Sequence, residues 1–116
     1  MTIEYVVLLP ALFALLFLGV QIAVFYQARS VAIAAAAEGA RTAGAEGATA
    51  GAGETAARAF VAAAGGDDVL PGLTVTVTRT PARADVTVAG TSLSLIPGWQ
   101  PRITQHASAP VERTTG

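Results

Sequence analysis

The 116-residue chain is 53% apolar and only 13% charged, with a formal net charge of -1. Its seven basic residues are all arginines and form no cluster, so nucleic-acid binding by counterion release has nothing to work with. No cysteine is present, which excludes disulfides and thiolate metal sites.

Charge is distributed unevenly. From Tyr5 to Ala28 there is no charged side chain, whereas every arginine and all acids except Glu4 follow it. A helix over that run is about 36 Å long at 1.5 Å per residue, and a hydrocarbon core needs about 20 residues. The spacing predicts a transmembrane helix over residues 1–28. A secretory signal peptide fits badly, because a basic residue should precede its apolar core and Glu4 stands there instead. Pro10 lies inside the run, removing one backbone donor, and predicts a kink or loosened turn near Val6. Gln21 is the strongly polar side chain of the run. It either bonds a neighbouring helix or lies in the headgroup zone.

Alanine-rich sequence predicts that the helix continues over 29–42, although no clean amphipathic face is evident in it. Such small residues allow close backbone approach to a neighbour. The glycines of "AGAEGATAGAG" predict a flexible linker over 43–53. No strand precedes that stretch and no Lys-Ser/Thr follows it, so it is not a phosphate loop. A second helix is expected over 54–64, with Ala57, Phe60, Val61 and Ala64 on one stripe and Glu54 paired with Arg58. Gly65-Gly66 ends it. Asp67-Asp68 lack further oxygen donors at calcium spacing and read as a solvated turn.

The remainder alternates at the period of half-buried strands, predicted at about 72–79, 84–90 and 102–112. Thr80-Pro81-Ala82 supports a hairpin between the first two. The third places Ile103, Ala107, Ala109 and Val111 on one face. A sheet this small cannot stand alone, and packing it on the post-membrane helix supplies the missing apolar contact. The expected fold is α+β and pilin-like: a long N-terminal helix, a short second helix and a three-stranded antiparallel sheet. Before the last strand, Leu93, Leu95, Ile96 and Trp99 crowd into one loop, which either packs back on the domain or docks a neighbouring subunit.

A Ser-His-Asp arrangement can be written with His106 and Ser92, Ser94 or Ser108, but nothing in the sequence orients it. No metal cluster or cofactor motif is present, and the chain reads as non-enzymatic, with no cofactor.

Glu4-Tyr5 followed by an apolar run containing Leu8-Leu9-Pro10 resembles the start of TadE-like proteins, pseudopilins or minor pilins of the Tad (Flp) pilus assembly machinery. Glu38-Gly39-Ala40-Arg41 looks like the family's small-residue motif after the span, and "ITQHASAPVER" is similar to its closing strand. The resemblance implies an anchor in the cytoplasmic membrane of a bacterium, with residues 29–116 forming a small extracytoplasmic domain. It implies other pilin or pseudopilin subunits, the pilus assembly machinery and a prepilin peptidase as partners, besides membrane lipid. Pilins of this kind lose a basic leader and keep Glu as the fifth mature residue. Here Glu is the fourth, so either the true start lies upstream or this member is not processed. Arg29 and Arg41 follow the span, and the positive-inside rule alone would draw that end to the cytoplasm; a lost basic leader reverses the count. The resemblance also gives Glu4, with Tyr5, a role in assembly: the corresponding Glu of pilins meets the N-terminal amine of an adjacent subunit and sets the stagger between helices. The alternative is that Glu4 only complements the helix macrodipole from the headgroup region. Gln21, Gly39 and Arg41 are the candidate helix-packing residues. A single-span envelope protein whose outer domain binds a ligand or protein is the competing function.

Overall fold

A computed structural model describes residues 2–95 and 98–112. Helix α1 runs from Thr2 to Gly44 and α2 from Ala50 to Ala64, and a single 3-10 turn at Gly66–Asp68 leads towards the strands. Strands β1 (Thr74–Arg79), β2 (Arg83–Thr91) and β3 (Arg102–Pro110) form an antiparallel sheet in the order β1-β2-β3. The α+β arrangement anticipated from the sequence is therefore the one observed. The molecule is elongated, 82 × 20 × 18 Å, because the sheet and α2 cover only the C-terminal half of α1.

That half is an alanine stripe. Ala28, Ala32, Ala35, Ala36, Ala40 and Ala43 are all buried, at the three- and four-residue spacing of one helix face. The face escaped the sequence reading because alanine and glycine also fill the opposite side, leaving no hydrophobic contrast. Small side chains let the sheet lie close to the helix axis, where Val75, Val86, Val88 and Ile103 meet the alanines. The neighbour that the small residues admit is the chain's own domain.

The expected linker over 43–53 is shorter than predicted, since α2 begins at Ala50. Thr49 caps it by accepting a hydrogen bond from the backbone N–H of Ala52 (3.1 Å). Its buried stripe is Gly53, Ala57 and Val61, so Phe60 turns partly to solvent instead of joining the core. Leu70, among the largest fully buried side chains, joins the core. The Glu54–Arg58 pair forms at 3.1 Å on the surface, and Gly65, with φ 134°, ends the helix.

The top of the domain is fastened by backbone groups. Arg79 Nε donates to the Ala43 carbonyl (2.8 Å), and the Glu112 N–H donates to that of Gly44 (2.8 Å). These bonds satisfy carbonyls that the end of a helix leaves without partners.

Candidate functional site

Every residue from Glu4 to Val20 is exposed, although Tyr5 is the only polar side chain between Glu4 and Gln21. The helix that begins with this stretch, Glu4–Gly44, holds a window of mean hydropathy 2.5 and is long and apolar enough to cross a membrane. The helix runs without interruption on both sides of Pro10. Glu4 lies in the first turn, where a carboxylate complements the positive end of the helix dipole. Among the described residues no ion pair to it is found.

The bare segment ends abruptly at Gln21, which is fully buried. Its Nε2 donates to the Leu93 carbonyl (2.9 Å) and to Ser92 Oγ (3.4 Å), while its Oε1 accepts from the Leu95 N–H (2.7 Å). One carboxamide thus satisfies a donor and an acceptor of the loop as a neighbouring strand would. The partner expected on a second helix or in the headgroup zone is instead this chain's own loop, more than 70 residues away in sequence. Residue 21 precedes Ala28 by two helical turns and belongs to the same buried face.

Gln21 also lies in a cleft of about 400 Å³ with Ile22, Phe25, Tyr26, Trp99 and Pro101. Phe25 and Tyr26 meet edge to face at 5.8 Å. Leu93, Leu95 and Trp99 keep about two fifths of their surface exposed; Ile96, grouped with them from the sequence, lies outside the described residues.

Gly39 sits at the crossing of α1 and α2, beside the Gly53 carbonyl and the Ala57 methyl group. Arg41 is exposed and pairs with Glu38 one turn back.

A polar cluster occupies the outer face of the sheet. The register sets Asp85 opposite Ser108 and Thr87 opposite His106. Ser108 Oγ donates to Asp85 Oδ1, Arg83 Nε donates to Oδ2 (3.0 Å), and His106 Nε2 lies 3.7 Å from Oδ1. The Ser108 hydroxyl, above all, holds the Asp85 carboxyl below its usual 3.8; desolvation opposes this, and Arg83 and His106 add to the lowering. The sheet pairing thus orients Ser, His and Asp, which the sequence reading did not foresee. Ser108 Oγ also lies 3.3 Å from His106 Nε2, but the carboxylate accepts the serine hydroxyl's hydrogen bond and approaches that same ring nitrogen, while Nδ1 faces Thr87 Oγ1 (3.2 Å), so the order of contacts is not that of a nucleophile relay. Asp67 and Asp68 are exposed, and among the described residues no group of three or more His, Cys, Asp or Glu could hold a metal ion.

A helix of membrane-spanning length that continues as the core helix of a small α+β domain fits a membrane-anchored protein. More particularly, the family model described as TadE-like protein matches residues 1–41, consistent with a TadE-like protein of the Tad pilus system. The matched stretch holds Glu4, Gln21, Gly39 and Arg41 and stops three residues before the end of α1. Pilus-associated proteins of that kind are in general non-enzymatic. No curated protein and no solved structure matches the chain.

Proposed function

We propose that this protein is a TadE-like pseudopilin, anchored in the bacterial cytoplasmic membrane with its α+β domain outside the cytoplasm, that takes part in Tad pilus assembly through helix–helix packing. The observation that carries this reading is the uncovered apolar half of α1, which begins at a carboxylate and falls inside the TadE-like match. An apolar helix of that length, uncovered by the described residues of its own chain, is suited to lipid and to the helices of other pilin subunits. Glu4 serves as the registry group: a carboxylate at the hydrocarbon boundary gains most when a neighbour's amine neutralises it.

The test is in vivo crosslinking of the full chain to its neighbours with Glu4→Ala and Glu4→Gln variants. Registry by charge requires that both variants insert and fold normally yet lose their crosslinks. A role limited to the helix dipole is worth about 0.3–1 kcal/mol and would leave crosslinking near wild-type yield, which rejects the registry assignment. A reporter fused after Gly116 that is active only in the cytoplasm would reject the orientation.

A further inference from the structure

We infer that the lower rim of the domain, formed by Ile22, Tyr26, Leu93, Leu95 and Trp99, is a lipid-contacting surface seated at the headgroup–acyl boundary of the leaflet on the domain's side. The inference rests on the membrane anchorage proposed above and adds the depth at which the domain sits.

The first argument is one of length. The uncovered segment Tyr5–Val20 spans about 24 Å as a helix, whereas a hydrocarbon core is about 30 Å thick. With Glu4 at one boundary, the bare helix runs out before the other is reached. Either the bilayer thins or the base of the domain enters it. Tyr26 lies 22 residues beyond Glu4, about 33 Å along the axis, which is where the far interface falls. Arg29, exposed less than a turn further on, is placed among the headgroups.

The second argument is chemical. Tyr26 and Trp99 are the amphipathic aromatics that settle at membrane interfaces, and both are exposed here, beside exposed Ile22, Leu93 and Leu95. This apolar surface is continuous with the bare helix and is not an isolated patch.

The third argument concerns the backbone. Irregular chain at membrane depth is tolerated only where its polar groups are paired. Gln21 takes up the Leu93 carbonyl and the Leu95 N–H, the Ser92 N–H donates to the Pro101 carbonyl (3.1 Å), and Ser94 Oγ donates to the Trp99 carbonyl. These polar groups of the loop's described residues are paired, while Leu93, Leu95 and Trp99 remain exposed.

Trp99 is the only tryptophan, so its emission reports on the rim directly. The full chain is reconstituted into phosphatidylcholine vesicles containing lipids brominated either near the headgroup end of the acyl chain or near its terminal methyl. The expected result is a blue-shifted emission that shallow bromines quench roughly twofold more than deep ones, with little quenching by aqueous iodide and no dependence on the protein-to-lipid ratio. A second probe, Tyr26→Trp in a Trp99→Phe background, should show the same depth preference from the helix side of the rim. Alkaline carbonate extraction of the same vesicles tests the anchor separately. Protein released by carbonate overturns anchor and rim together. Protein retained, but with tryptophan quenched by iodide and not by bromolipid, overturns the rim alone. A blue shift that disappears on dilution in lipid assigns the surface to a second copy of the chain and likewise overturns the proposal.

Discussion

Gly39 and Gly53 touch backbone to backbone where α1 crosses α2. A Cβ on Gly53 would stand 2.8 Å from the Gly39 carbonyl oxygen and 2.6 Å from the Ala43 methyl carbon, whereas one on Gly51 would meet only Thr49 Oγ1 at 3.8 Å. Two glycines of one helix, two residues apart, thus face opposite constraints.

Gly53→Ala is expected to destabilise the domain by about 1–3 kcal/mol, because the obstructing atoms are backbone and a helix-embedded methyl that cannot swing away. Gly51→Ala should stabilise it by up to about 1 kcal/mol through the helix preference of alanine. Thermal unfolding of the detergent-solubilised full chain should therefore move in opposite directions for the two variants.

Gln21→Leu preserves bulk but strands the Leu93 carbonyl and the Leu95 N–H at the base of the domain. Leaving such a group unpaired costs about 1–3 kcal/mol. Gln21→Glu keeps the acceptor for Leu95 but sets a carboxylate oxygen against the Leu93 carbonyl, so it should not rescue. Limited proteolysis in the 92–101 loop should rise in both variants while the far-UV helical signal holds.

Asp85 supplies a pH dependence with a definite sign. Its folded-state pKa lies below the ordinary 3.8, so its contribution is fully present above about pH 4 and is lost as pH falls through the depressed value. Ser108→Ala removes the largest cause of the depression. The Asp85 carboxyl resonance should then titrate closer to 3.8, and the stability difference from wild type should be constant near neutrality and vanish in acid.

Much of this architecture was legible in the chain. Threonine–valine alternation in Leu73–Thr78 and in Asp85–Val88 marks two strands, and Thr80-Pro81-Ala82 marks their turn, closed by Thr80 N–H to the Arg83 carbonyl (2.8 Å). The start of α2 was not legible, because Gly51 and Gly53 count as helix breakers by propensity while one of them is required by the crossing. Phe60 was misplaced for the same reason: with Gly53 on the buried stripe, the helix face rotates away from it. Gln21 stood out as a polar residue in an apolar run, but its partners come from a loop that only the sheet brings near. The Asp85–Ser108 pair depends on strand register, which the alternation of either strand leaves undetermined.

The unbroken course of α1 has a mechanical consequence. The sheet is fixed to the helix below at Gln21 and above at Ala43 and Gly44, so domain and rod turn as one body. Whichever side of the bare helix meets a partner in the bilayer therefore dictates the compass bearing of the threonine-lined sheet face outside it. One residue inserted between Val20 and Gln21 would swing that face by about 100° and lift it about 1.5 Å, with every contact inside the domain intact. The number of residues between Glu4 and Gln21 is thus an angular setting as well as a length.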